Sequence, residues 1–138
     1  MSSNGWLPQH DGYLPYFLLL PATVAVIHSV VCYLIPPSIS MKAFSGPNAP
    51  PANGVLARVY GVKNIYTGAI RFYAAYHISN PQVYDLAMLT FAGVLFLYGA
   101  ELFVYKTSRF REVSEPFLMS GSTLIWMLNQ RSWYTSGV

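Results

Sequence analysis

Charge is scarce in this chain. Eight Lys or Arg and five Asp or Glu make up 9% of its 138 residues, whereas soluble domains carry about 25% charged residues. With 54% hydrophobic and 16% aromatic residues, so little charge excludes an ordinary water-facing globular surface. The formal charge of +3 is too small and too scattered for nucleic-acid binding, which needs a clustered basic face. A single cysteine, Cys32, permits no intrachain disulfide and leaves the redox compartment open. His28 and Cys32 stand four apart, a metal-ligand spacing, but two ligands do not make a site, so they read as a packed imidazole and a buried thiol. His77 sits by a turn. Neither a nucleophile elbow, a phosphate loop, a dinucleotide fingerprint nor a histidine cluster is present. The sequence therefore predicts no metal and no cofactor.

What the chain has instead is apolar length. Four runs stand out, at about 14–35, 54–76, 83–105 and 115–134, each long enough to suggest a membrane crossing. The first has no formally charged residue and ends at Pro36-Pro37, which cannot continue a helix. A secretory signal is the competing reading of this run, but basic residues are missing before it and Asp11 stands there. Pro15 suits a first turn, while Pro21 lies deeper and is expected to loosen the helix locally. Residues 36–53 hold five of the ten prolines and read as an irregular loop outside the hydrocarbon. Asn80-Pro81 marks a tight turn, and Ser114 is placed to cap the last helix, with Glu115 and Pro116 in its first turn. Trp126, Trp133 and Tyr134 suggest an aromatic belt at its end. The expected fold is an all-α membrane protein, one unit over 1–138, with four transmembrane helices in a compact bundle.

The second run carries Arg58, Lys63 and Arg71. Each cation near a bilayer centre costs about 2.5–3.5 kcal/mol on insertion scales, so each needs compensation. In an antiparallel hairpin turning near Asn80, residues at equal depth have numbers that add to about 160, because helical rise is equal on both sides. That rule sets Glu101 level with Arg58 or Val59 and puts Asp85 within one turn of Arg71. The expected ion pairs are Arg58 with Glu101 and Arg71 with Asp85, with snorkelling as the alternative for Arg71. Lys63 has no acid at its level; it either reaches polar surroundings or faces a pocket or partner.

Two stripes run along the same helix. Tyr60, Asn64, Thr67 and Arg71 recur at helical spacing and, with Lys63, make a candidate polar site for lipid or partner. Gly54, Ala57, Gly61, Gly68 and Ala75 form a small-residue stripe, which lets membrane helices approach closely. That stripe serves the chain's own bundle or another subunit, and Gly93 with Ala100 supplies a weaker partner stripe. Basic residues at Lys42, Lys106, Arg109 and Arg111 place the first and third loops on the cytosolic side and the termini in the lumen.

The residues also carry a resemblance. Gly12-Tyr13-Leu14-Pro15, Ala57-Arg58-Val59-Tyr60-Gly61 and Arg71-Phe72-Tyr73-Ala74-Ala75-Tyr76 resemble the ergosterol biosynthetic protein 28 family. Asn80-Pro81, Glu101-Leu102, Tyr105-Lys106-Thr107, Ser122-Thr123-Leu124-Ile125-Trp126-Met127, Gln130-Arg131 and Tyr134-Thr135 extend the match in order over nearly all the chain. It departs at Lys63-Asn64, where the family often has Trp-Thr. The resemblance implies a non-catalytic scaffold of the endoplasmic-reticulum membrane for ergosterol biosynthesis. It implies four partners: the sterol C-4 methyl oxidase, the decarboxylating 3β-hydroxysteroid dehydrogenase, the 3-ketosteroid reductase and, in fungi, the sterol 24-C-methyltransferase. A carrier holding sterol or lipid in the grooves of the second and third runs is the alternative, and a small sterol-modifying enzyme using Glu101 is a lesser one. A homodimer through leftover small-residue faces is compatible with each.

Overall fold

The computed structural model describes residues 7–8 and 10–136, and it is helical, with no strand among those residues. Helix α1 is Leu14–Leu34, the short α2 is Pro37–Ser40, α3 is Gly54–Tyr76, α4 is Pro81–Gly99 and α5 is Phe110–Thr135. Two of these stretches, Leu14–Leu34 and Pro81–Val104, are long and apolar enough to cross a membrane. Helices α3 and α5 have the length of a crossing but carry more charge.

Local chemistry explains most helix ends. Asn53 accepts the Leu56 amide at 2.8 Å, and Asn80 accepts those of Gln82 and Val83 at 2.9 and 3.2 Å. Both side chains thereby satisfy first-turn donors that have no partner within their helix. Pro81 follows at the first position of α4, where the missing N–H costs nothing. Helix α1 lacks a side-chain cap of its own. The Tyr134 hydroxyl of α5 takes that role, accepting the Leu14 amide at 3.1 Å.

Two expectations about elements are corrected, and one detail was not expected. Residues 36–53 are not wholly irregular, since α2 and a 3₁₀ turn at Lys42–Phe44 lie within them. Contacts to the third loop hold this segment: the Gly46 amide reaches Thr107 O at 2.8 Å and the Asn48 amide reaches Lys106 O at 3.0 Å. Helix α5 starts at Phe110 rather than near Ser114, so Ser114 is no cap and Pro116 lies inside the helix. Lastly, α4 continues as a π-helical turn, Ala100–Val104. It is closed by Lys106 in the left-handed region at φ 58°, which turns the Thr107 and Ser108 amides back onto Glu101 O at 2.8 and 3.3 Å.

Helix α1 packs along α3, α4 packs along α5, and the two pairs meet through α3 and α4. One end of the bundle is solid: Leu14, Leu18, Ala74, Ala75, Ile78, Tyr84, Ala87, Phe91, Met127 and Tyr134 form a continuous core there. A smaller cluster of Val94, Tyr98 and Val113, backed by Phe44 and Phe117, closes the loop end. Between them the pairs stand apart around a cavity.

Candidate functional site

The cavity has a volume of about 350 Å³ and lies between the α1–α3 and α4–α5 pairs, with α2 and the 3₁₀ turn at one end. The whole polar stripe of α3, Tyr60, Lys63, Asn64, Thr67 and Arg71, lines it. Spacings of 3, 1, 3 and 4 residues keep these side chains within one face of the helix, so a single helix supplies most of the polar wall.

Arg71 is the deepest of them and is only 6% exposed. Its Nε donates to Thr90 Oγ1 at 3.0 Å, its Nη1 reaches Pro21 O at 3.4 Å, and its guanidinium lies 4.0 Å from the centre of the Phe91 ring. Its Nη2 is buried with no partner among the described residues. Lys63 is half-buried; its Nζ donates to Asn64 Oδ1 at 3.4 Å and stands 5.3 Å from the Tyr60 ring centre. Asn64 Nδ2 donates to His28 Nδ1 at 2.8 Å, which orients both side chains across the α1–α3 seam. Thr67 spends its hydroxyl on Lys63 O at 2.9 Å. The Tyr60 and Tyr98 hydroxyls bond each other, linking α3 to α4, and Tyr60 meets His28 and Phe44 edge-on, each at 5.5 Å.

Neither ion pair expected from the sequence is present. Asp85 instead takes Arg131, with Nε to Oδ1 at 2.7 Å and Nη2 to Oδ2 at 2.9 Å, near the turn end of the bundle. Arg71, buried against Thr90 and Pro21, neither pairs with Asp85 nor snorkels to water. Among the described residues Arg58 makes no ion pair. It is exposed and folds back over Gly54, where an added Cβ would meet its Nη1 at 2.8 Å. Glu101 accepts the Thr107 hydroxyl at 2.7 Å and is occupied by the turn that ends the π-helical segment. The hairpin register itself matches: Arg71 with Thr90 and Tyr60 with Tyr98 have numbers adding to 161 and 158. Depth was therefore readable, but the face on which each side chain projects was not.

Thr90 was within reach of the depth rule, which puts Arg71 opposite position 89. Preferring formal charge to a hydroxyl led to Asp85 instead. Ser40, Glu112 and Glu115 also line the cavity, and nothing in the sequence signalled them, because they come from the segments before α3 and after α4.

The small-residue stripe faces α1 at Gly61 and Gly68, whereas Gly54 at its start lies under Arg58 of its own helix. A Cβ on Gly61 would lie 3.1 Å from Cys32 Cβ and 3.2 Å from Ser29 O; one on Gly68 would lie 2.8 Å from Val26 Cγ2 and 3.0 Å from Ala22 O. Ala57 and Ala75 are buried on the same side. Gly93 is exposed and would meet nothing within 4 Å, so it supplies no complementary stripe within the chain. Cys32 Sγ lies 3.7 Å from His28 Nδ1, but the thiol is buried and off the cavity wall. Among the described residues no three potential ligands gather for a metal ion. The α3 wall of the cavity brings donors and aromatic hydroxyls together, and α5 adds the carboxylates Glu112 and Glu115.

Residues 14–125 match the family model described as "Erg28 like protein". The chain belongs to the Erg28-like family. It is 31% identical over 129 residues to "Ergosterol biosynthetic protein 28" of Candida albicans, covering 92% of this chain and 91% of that one. To the Saccharomyces cerevisiae protein of the same name it is 29% identical over 125 residues, covering 90% and 84%. A human "Ergosterol biosynthetic protein 28 homolog" is 32% identical over 89 residues, covering 63% and 62%. No solved structure matches the chain. The match takes in α1, α3, α4 and most of α5, and every residue lining the cavity falls within the Erg28-like region.

Proposed function

We propose that this chain is a membrane scaffold of ergosterol biosynthesis, without chemistry of its own, that tethers the sterol C-4 demethylation enzymes in the endoplasmic reticulum. Its partners in this reading are the C-4 methyl oxidase, the decarboxylating 3β-hydroxysteroid dehydrogenase, the 3-ketosteroid reductase and the sterol 24-C-methyltransferase. The observation that carries it is the family match over residues 14–125 with relatives named for ergosterol biosynthesis. A tether acts by raising the effective concentration of each next enzyme, which needs contact surface and no reacting group.

In this reading α1, α3, α4 and α5 all cross the bilayer, with loops 36–53 and 106–109 in the cytosol. The bundle's outward surface supports such a placement: Val55, Val59, Tyr66 and Tyr73 of α3 and Leu89 and Phe96 of α4 are all exposed, an apolar exterior suited to lipid or to partner helices. Because Gly61 and Gly68 are used against α1, the partner-facing part of α3 is its other face, around Tyr66 and Tyr73, with Arg109 and Arg111 at the loop. A second copy docking there would give a homodimer.

Co-purification of the four enzymes with the tagged full chain from membranes is the test. Wild-type protein recovers them, and Tyr66→Ala/Tyr73→Ala or Arg109→Glu/Arg111→Glu variants of unchanged abundance lose at least one. Equal recovery of every enzyme by both variants removes these surfaces from the proposal, and recovery of none by the wild type removes the scaffold.

A further inference from the structure

The cavity between the helix pairs is rimmed by hydrogen-bond donors that the protein leaves unused. Arg71 and Ser40 both line it, both are at least nine-tenths buried, and neither Arg71 Nη2 nor Ser40 Oγ has a partner among the described residues. Lys63 Nζ adds a third donor whose one hydrogen bond is long, at 3.4 Å. A buried donor without an acceptor loses its hydration and receives nothing in return, and for a cation the loss is larger still. Among the described residues the one ion pair is Arg131 with Asp85, so no carboxylate lies within ion-pair distance of Lys63 or Arg71. Lys42 of the 3₁₀ turn also lines the cavity but is exposed, so the two cations buried or half-buried on it, Lys63 and Arg71, face it with no carboxylate in ion-pair contact.

We propose that this cavity binds an acidic amphiphile, its carboxylate or phosphate drawn between Lys63 and Arg71 and its apolar body lying along Val24, Val94 and Met119. Arg71 is prepared for the role. Its Nε and Nη1 are fixed by Thr90 and Pro21 and its plane rests on Phe91, which holds Nη2 in place for an incoming oxygen. Lys63 and Arg71 both line the cavity from α3, so an anion held there is attracted by both. Ser40 Oγ supplies a further donor from α2. Glu112 and Glu115 line the cavity from α5 and repel an anion there, which favours the acid on the α3 wall. At about 350 Å³ the volume is near the lower end of ligand pockets, roughly 300–1,000 Å³. It suits an acidic head and the first stretch of one chain, or one end of a rigid amphiphile.

This inference does not depend on the scaffold reading, and its test uses the purified full chain without partners. In neutral detergent, binding of radiolabelled oleate and of dioctanoyl phosphatidic acid is compared with that of oleyl alcohol, which has the body without the charge. At least one acid binds tenfold or more tightly than the alcohol, the scale expected of one charge-assisted contact. Which acid prevails distinguishes a carboxylate ligand from a membrane phospholipid. Lys63→Gln and Arg71→Gln each reduce acid binding about tenfold and leave the alcohol unchanged, whereas Arg109→Gln, a loop cation outside the cavity, changes neither. Should Arg71→Gln fail to fold, Lys63→Gln alone decides, since Lys63 has only one long hydrogen bond to lose. Equal affinity for acid and alcohol, no acid binding, or undiminished acid binding by folded Lys63→Gln overturns the proposal.

Discussion

The Tyr134 hydroxyl and the Leu14 amide, 120 positions apart, tie the last helix to the start of the first. Leu14 is fully buried and its amide has no partner within α1, so removing the acceptor leaves an orphaned donor. Tyr134→Phe is expected to lower stability by about 1 kcal/mol, measured as a loss in thermal midpoint in detergent. Tyr84→Phe is expected to behave similarly, because its hydroxyl donates to Met127 O at 2.6 Å from a fully buried ring. The Asp85–Arg131 pair predicts the opposite outcome. It is bidentate, but its side chains are 40% and 49% exposed, so Asp85→Asn is expected to leave the thermal midpoint almost unmoved. Arg71 explains why residue-level reading went astray. The sequence offers Asp85 as the nearest formal charge, yet a guanidinium in an apolar interior is served by Thr90, a carbonyl and the face of Phe91.

At the scale of elements, α3 differs from its neighbours in presenting two working faces. Its small-residue face lies against α1, and the close approach there forbids bulk. Gly68→Ala places a methyl group 3.0 Å from the Ala22 carbonyl oxygen, and backbone cannot yield as a flexible side-chain tip does. The expected cost is about 1–3 kcal/mol. Gly93→Ala on α4 meets open space and is expected to be neutral or to stabilise by up to ~1 kcal/mol, as a helix gains when glycine is replaced. Thermal midpoints of the two variants side by side check the pair, and equal losses would contradict this account of α3. The small residues were legible at helical spacing, as was the polar stripe beside them. Which stripe meets α1 and which meets the cavity was not, because spacing gives angles between residues on one helix and carries no angle to a neighbour.

For the molecule as a whole, the two helix pairs are packed together at the turn end, closed by a smaller cluster at the loop end, and stand apart around the cavity between. Among the described residues only α1 and the Pro81–Val104 stretch meet the length and apolarity of a membrane crossing, while two of the three cations of α3 face inward, on the cavity. In the proposed four-span arrangement that inward placement lowers the cost of a crossing by α3. Glycosylation acceptors inserted singly into loop 36–53, the turn at 79–81 and the region after 134 test it. The turn and the C-terminal region are modified and loop 36–53 is not. Modification of loop 36–53 together with the turn would mean that α3 does not span.

Composition and run length were enough for the four long helices, the turn at Asn80-Pro81 and the hairpin register, because apolar runs and proline act on the local backbone wherever the chain goes; the start of α5, the short α2 and the π-helical turn were not legible in this way. The polar stripe of α3 and the family resemblance were legible for the same reason, as order and spacing along one chain. Only the tertiary structure decided that Asp85 belongs to Arg131, that Glu101 is held by its own turn, and that Ser40, Glu112 and Glu115 join the α3 stripe around one cavity. Each of these depends on the rotation of one helix about its axis relative to the next. Packing at the buried ends sets that angle, and no single stretch of sequence contains it.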